Sequence, residues 1–334
     1  MNARIGLVHL PPASSPSGGD LYDRKLLQVA AARGFPLYSV PWRDGTMPAG
    51  NWHLLVWDSL LLDRFERMVD ERVALLLHWL PSLDPALEPS VRTTLQAAEH
   101  RAFERADFVI AAGKPLADAV AVRRPGTPVF LCEPGVDHVF RRARSRRAQR
   151  GSANGEPVRL LTVAHLLPAK GHRELLAILR QLRNLPWHWH LAGDLRRSSQ
   201  TTRDLRDLAA QAGLTDRISF HGAVAQEEVA SLMADSDLFV FPSSFESYGM
   251  VLAEAVSAGL PVLSNRVGAA DQLIRHGVTG LLASPGDWVE FGESLRSLLA
   301  DAALRARLEE NLRHVAVRGW DETFADFRAV CETP

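Results

Sequence analysis

The chain has 334 residues, about twice the ~150 of a typical single domain, so it is read as two domains. Hydrophobic residues make up 46% and charged residues 23%, an ordinary globular balance, and 38 basic against 39 acidic side chains argue against general nucleic-acid binding. The two cysteines, Cys132 and Cys331, lie too far apart for a disulfide framework or zinc knuckle, which points to a reducing cytoplasm.

In chain order, the N-terminal apolar stretch is too short for a signal peptide. Ile5–Leu10 reads as a buried strand, followed by a Ser/Gly/Pro loop ending in Gly18-Gly19. Leu21–Arg33 has helical periodicity and stops at Gly34. Leu54–Trp57, Val73–Leu77, Phe108–Ala111 and Val129–Cys132 are further strands, and Val91–Arg105 is a helix. No apolar run approaches the ~20 residues of a membrane span.

The pattern breaks at Phe140–Pro157, which carries Arg141, Arg142, Arg144, Arg146, Arg147 and Arg150 before a Gly/Ser/Asn/Pro tract. Such a charge run reads as a solvated, mobile linker; weak contact with an anionic membrane surface is the alternative. The alternation then restarts. Val158–Val163, Trp187–Ala192, Ile218–Phe220, Leu238–Phe241 and Pro261–Ser264 read as strands. Arg173–Arg183, Leu205–Ala212, Glu227–Ala234, Gly249–Ala258 and Trp288–Leu312 read as helices. Strand–helix alternation in both halves means βαβ units. The expected fold is α/β, with two doubly wound Rossmann-like domains facing a cleft. The expected division is 1–139, a linker over 140–157, 158–317, and a final helix over 318–334 that crosses back to the first domain.

The stretch from Phe241 to Val262 carries the most chemistry. A buried strand ends at Pro242, a polar loop holds Glu246, and a helix opens near Tyr248-Gly249 and ends at Gly259. The first amides of that helix, at Gly249, Met250 and Val251, lack intrahelical acceptors and sit at its partial positive charge. That is an anion site. Glu246 lies just outside it, and Glu254 lies ~9 Å along the axis at ~1.5 Å per residue. Sugar hydroxyls, a diphosphate and ribose hydroxyls have this same polarity.

Glu246, seven residues and then Glu254, between Phe-Pro-Ser and Ala-Gly-Leu-Pro-Val, resembles the E-x7-E motif of retaining family-4 glycosyltransferases of the GT-B fold. The resemblance implies that Glu246 contacts the donor sugar, Glu254 the ribose, and the amides between them the diphosphate. Leu160–His172 resembles the family's Gly-Arg…Lys-Gly loop, with Lys170 on the diphosphate and His165 where Arg is usual. A protonated His165 would stand in for that Arg, so activity would fall as pH rises through its pKa. Gly193-Asp194 and the Ile218–Val224 segment, ending at Val224, resemble loops bordering the base; Gln226 in place of an Asp favours UDP over GDP.

In the first half, Gly18-Gly19 resembles the glycine pair near the diphosphate and acceptor, and His78 resembles the histidine on the donor sugar. Glu99–Asp107, Glu133–Asp137 and Trp320 resemble further family segments. The resemblance implies a metal-independent hexosyltransferase. Glu246, His78 and Lys170 would be its catalytic set, and a nucleotide sugar and a small soluble acceptor its partners, with no cofactor. An aromatic acceptor would stack near Trp79 or Trp57. A glycolipid or cell-surface glycan acceptor, and a nucleotide-sugar-binding protein without turnover, are the alternatives. Asp235-Ser-Asp237 precedes its apolar run, which argues against a metal-binding D-x-D. His188-Trp-His190 alternates like metal ligands but has no third partner in the sequence.

Overall fold

The computed structural model describes residues 4–11, 16–43, 50–65, 72–85, 87–149 and 156–333. In chain order the elements begin with β1 (Ile5–His9), α1 (Gly18–Ala32), β2 (Leu37–Pro41), β3 (Leu54–Asp58), β4 (Arg72–Leu77), α2 (Pro89–Arg105), β5 (Phe108–Ala111), α3 (Lys114–Arg123) and β6 (Val129–Leu131). They continue with α4 (His138–Gln149), β7 (Val158–Val163), α5 (His172–Gln181), β8 (Trp187–Ala192), α6 (Ser199–Gln211), β9 (Ile218–Gly222), α7 (Gln226–Asp235), β10 (Leu238–Phe241) and α8 (Met250–Ser257). The last are β11 (Val262–Asn265), α9 (Ala270–Leu273), β12 (Gly280–Ala283), α10 (Trp288–Ala300), α11 (Ala302–Leu312) and α12 (Trp320–Glu332). Among the described residues no helix is long and apolar enough to cross a membrane.

The chain divides into one unit of Met1–Gly135 with Arg318–Pro334 and a second of Val136–Val317. Each holds a six-stranded sheet, ordered β2-β1-β3-β4-β5-β6 in the first and β12-β11-β10-β7-β8-β9 in the second. Every pairing is parallel, so both are doubly wound, Rossmann-like sheets. The central strands are continuous apolar runs because helices cover both faces; all of Leu54–Asp58 is buried, as is Leu238–Phe241. In the second unit Leu160, Trp189, Leu191 and Val240 pack on one side and Leu161, Phe239 and Phe241 on the other.

Several expectations are corrected. The start of the expected linker is helix: α4 runs to Gln149, while 150–155 lie outside the described residues. Phe140, Ala143 and Arg147 recur at helical spacing and are buried. Arg147 donates to the carbonyls of Met233 and Ser236 and pairs with Glu309 at 3.0 Å. Arg144 donates to the carbonyls of Val256 (2.8 Å) and Ser257 (2.9 Å), closing the C-terminal end of α8. One face of this helix is docked on the second unit, while Arg141, Arg142 and Arg146 remain exposed. Gly18 and Gly19 are the first turn of α1, which Ser17 and Asp20 close with a capping box; residues 12–15 of the preceding loop lie outside the described residues. The helix expected over Trp288–Leu312 breaks at Asp301, whose side chain caps α11.

Candidate functional site

In open parallel sheets a ligand crevice lies past the carboxyl ends of the strands where the strand order reverses. In the second unit that point falls between β7 and β10. The two segments singled out in the sequence are the loops that follow these two strands.

The loops are laced together through the backbone. The N–H and hydroxyl of Ser244 both donate to the Ala169 carbonyl at 3.0 Å. Asn265, at the end of β11, donates to the carbonyls of Pro242 (3.1 Å) and Ser243 (3.0 Å). Gly171 has φ +69°, and a Cβ there would stand 2.2 Å from the Pro242 carbonyl oxygen, so only glycine lets the loops approach. The result is a direct ion pair: Lys170 Nζ lies 2.5 Å from Glu246 Oε1, with the side chains 22% and 15% exposed.

Past Glu246 the chain enters α8 through Gly249 at φ +86°. Among the described residues the amides of Gly249, Met250 and Val251 donate to no backbone carbonyl; Leu252 is the first to do so, to Gly249 at 2.9 Å. Tyr248 is buried, and its carbonyl accepts the Ala269 N–H at 2.8 Å. Glu254, the fifth residue of α8, is buried. The structure therefore gathers Lys170, Glu246, Tyr248, Gly249, Met250, Val251 and Glu254 on one loop pair and one helix.

The loops bordering this point join it. Gly193 donates to the Gly222 carbonyl at 2.8 Å, and a Cβ on Gly193 would fall 1.9 Å from the Ala164 oxygen. Val224, half-buried, follows Gly222 at φ +73°. His165 Nδ1 accepts the Asp194 N–H at 3.2 Å, a bond that only an unprotonated Nδ1 can make. That bond occupies the ring nitrogen that a second proton would need. Asp237, of the discounted D-x-D, accepts the Arg159 N–H at 2.8 Å.

In the first unit His78 follows β4, and its Nε2 lies 2.8 Å from Asp23 Oδ1. Tyr22 packs against the ring at 4.7 Å, and a Cβ on Gly19 would meet it at 3.1 Å, so Gly19 and His78 are neighbours while Gly18 is exposed. Asp58 ends β3, accepts the Leu60 N–H at 3.0 Å and stands beside Ser59, whose hydroxyl oxygen accepts the His78 N–H at 3.0 Å. Asp23, Asp58 and His78 are buried with ligand atoms within 4.8 Å of one another, a set able to hold a metal ion. Burial pushes the Asp58 carboxyl up to about 6, against the lowering effect of His78. Burial pushes the His78 pKa down, but the charge and hydrogen bond of Asp23 outweigh it and the pKa is raised. Neither Asp was singled out from the sequence. An acid closing a parallel strand, as Asp58 closes β3, is the signal that could have found one. Trp57 is fully buried against Trp42 and Phe65, which corrects its expected role as a stacking platform; Trp79 is half-buried.

Two Rossmann-like domains, one with an open helix N-terminus at its switch point, define the class of the fold as doubly wound α/β. A family model described as "Glycosyl transferases group 1" matches residues 144–315, just over half of the chain, and the chain belongs to that family. A D-inositol 3-phosphate glycosyltransferase of Arthrobacter sp. (strain FB24) is 31% identical over 248 residues, 73% of this chain and 55% of that protein. A protein of the same name from Corynebacterium efficiens is 30% identical over 216 residues, 62% of this chain and 49% of the relative. The chain spans about half the length of these curated relatives. Among solved structures, the sucrose-phosphate synthase of Thermosynechococcus elongatus aligns with a TM-score of 0.78 at 20% identity over 98% of both chains. Anabaena HepE, in complex with UDP and glucose, aligns with a TM-score of 0.76 at 19% identity, covering 99% of this chain and 100% of that one. Both likenesses concern the fold.

Proposed function

We propose that the protein is a retaining glycosyltransferase of the family-4, E-x7-E type. It moves a hexose from a UDP-linked sugar to an acceptor hydroxyl without a metal. The observation that carries this reading is the Lys170–Glu246 pair beside the open N-terminus of α8 at the β7/β10 switch point. The diphosphate takes the amides of Gly249, Met250 and Val251 and draws Lys170 from Glu246, which turns to the sugar hydroxyls. Glu254 takes the ribose, and Gly193 and Val224 border the base.

As the bond between the sugar's anomeric carbon and the diphosphate oxygen breaks, Lys170 and the helix mouth stabilise the departing charge. The acceptor oxygen forms its bond to the same carbon from the leaving-group face, and its proton passes to the diphosphate. The same anomeric configuration results without a covalent enzyme intermediate. His78 serves the donor sugar in this reading, held by Asp23.

A small soluble acceptor is favoured over a glycolipid or cell-surface glycan, in keeping with the inositol phosphate in the relatives' names. A cytoplasmic location is part of this reading, and two buried free thiols, Cys132 and Cys331, support it. The test is calorimetry with UDP-, GDP- and ADP-sugars on wild type and Glu254→Ala, with an assay of UDP release. Tight UDP-sugar binding lost in the variant supports the reading; equal binding by both proteins overturns it. Binding without UDP release in the presence of candidate acceptors supports a binding protein without turnover.

A further inference from the structure

The first unit builds a second layer of residues around His78, and that layer decides which of its atoms is left for a ligand. The hold begins at the backbone. The buried Ser59 hydroxyl accepts the N–H of His78 at 3.0 Å and that of Trp79 at 3.3 Å, and it donates to Asp58 Oδ1 at 3.3 Å. A hydroxyl has one hydrogen and two lone pairs, so this one is fully used. It ties the chain after β4 to the end of β3 and fixes where the His78 side chain starts.

The ring is then fixed at its far end. Nε2 lies 2.8 Å from Asp23 Oδ1, with both side chains buried. A carboxylate can only accept, so Nε2 carries a hydrogen whether or not the ring is charged. A Cβ on Gly19 would stand 3.1 Å from ring carbon Cδ2 and 3.2 Å from Cγ, so α1 closes that edge. Tyr22, anchored by a 2.8 Å bond from its hydroxyl to the Cys132 carbonyl, packs against the ring at 4.7 Å between centroids. The edge that remains is Nδ1–Cε1, and Nδ1 has no hydrogen-bond partner among the described residues.

We propose that Asp23 and Ser59 are positioning residues for His78, and that together they leave Nδ1 as the ring atom that meets a hydroxyl of the donor sugar. The contact with the sugar rests on the proposed function; the hold itself does not. A half-turn of the ring would set Cε1 against the Asp23 carboxylate and press Nδ1 towards Gly19, losing the bond and closing off the free nitrogen. The loop clamp and the carboxylate thus act on different freedoms of one side chain, the position of its backbone and the rotation of its ring. A group held by its supporting shell in this way meets a ligand without first being ordered.

The test follows the His78 ring nitrogens by NMR in full-length protein carrying isotopically labelled histidine. The His78 signals are those missing from His78→Gln. UDP release from UDP-glucose is measured in parallel. In wild type Nε2 should carry a hydrogen, and added UDP-glucose should move the Nδ1 signal more than that of Nε2. In Asp23→Asn and in Ser59→Ala kcat should fall about 10–100-fold, with KM for UDP-glucose changed by no more than about 3-fold. In a His78→Ala background the same two changes should cost less than about 2-fold, because their effect passes through the ring. Nε2 without a hydrogen, a response at Nε2 in place of Nδ1, or equal losses with and without His78 overturns the proposal. The NMR outcomes are read in wild type and do not depend on the variants folding. Wild type that neither binds UDP-glucose nor releases UDP would sink the donor reading and with it the role of Nδ1, while a hydrogen on Nε2 would still show the hold by Asp23.

Discussion

Both units are doubly wound parallel sheets with different strand orders, and both put charged side chains near the carboxyl ends of their strands, yet they settle those charges in opposite ways. In the second unit Lys170 and Glu246 pair at a partly open surface, with 22% and 15% of each side chain exposed. Such a pair gains little from its own contact, and either member can be redirected to a ligand at modest cost. In the first unit Asp23, Asp58 and His78 are buried, and two carboxylates share one imidazole. There the protein supplies its own counter-charge, and burial raises the Asp58 carboxyl to about 6. A doubly wound parallel sheet therefore carries a reversible charge pair in one unit and a sequestered one in the other, and burial marks the difference.

The largest expected effects break the lacing of the open site. In Gly193→Ala the new Cβ would meet the Ala164 oxygen at 1.9 Å, from a backbone at φ +152°. Overpacking and strain together should cost about 4 kcal/mol, read by urea denaturation. Gly19→Ala, whose Cβ meets only the His78 ring at 3.1 Å, should cost far less. Equal losses would mean that the second unit's loops are no more tightly constrained than the first's.

Next comes Lys170→Met. If the exposed pair exists to be opened by a diphosphate, turnover should drop about 10²–10³-fold, some 3–4 kcal/mol of transition-state stabilisation. Thermal stability should fall far less, because both side chains of this half-buried pair keep some contact with water. A large loss of stability with intact turnover would reverse the assignment.

How much of this was legible follows the same division. The second unit's site could be read because its signals are local: Glu246 to Glu254 is one strand–loop–helix run, and Lys170 sits on the loop beside it. The first unit's cluster could not, because Asp23, Asp58 and His78 meet only when α1, β3 and β4 assemble. Of the four sheet-edge strands, β6 and β9 were read and β2 and β12 were missed. β2 is mostly exposed, starts just after Pro36 and ends at Pro41, so it lacks the apolar run that marks a central strand. In α4 the arginines masked a helical stripe at Phe140, Ala143 and Arg147. Charge runs are usually solvated, but these guanidiniums reach backbone carbonyls at helix ends.

The buried cluster gives the pH prediction. Asp58 has its folded pKa raised from 3.8 to about 6, so the protonated acid is the form the fold favours. Its contribution is complete below pH 3.8 and is lost as pH rises through about 6, at most about 3 kcal/mol at ~1.4 kcal/mol per unit. His78, raised above 6.5, adds a contribution of the same sign that disappears at higher pH. Wild-type stability should therefore decline from about pH 4 towards pH 8. Asp58→Asn keeps an acceptor for the Leu60 N–H and removes the first part of that slope. It should be more stable than wild type at pH 8 and no more stable at pH 4. A parallel pair of stability-against-pH curves would show that Asp58 is ionised throughout, and the contrast between the two switch points would fail.

The smallest effect sharpens the contrast at one atom. His165 stands where an arginine would place a permanent charge, but its Nδ1 accepts the Asp194 N–H at 3.2 Å. Protonation would put a hydrogen on that nitrogen and break the bond that joins the β7 and β8 loops. This bond competes with the cation that the sequence suggested. His165→Asn keeps an acceptor close to the position of Nδ1, whereas His165→Ala leaves the Asp194 amide without it. The two should differ by about 1 kcal/mol in UDP affinity, with Asn the tighter. UDP affinity is also compared between pH 6 and pH 8 in wild type and His165→Asn. An inflection abolished in His165→Asn would mean that the diphosphate wins the ring from Asp194 and binds it as a cation. The exposed switch point would then adjust its charge to the ligand at two residues, Lys170 and His165.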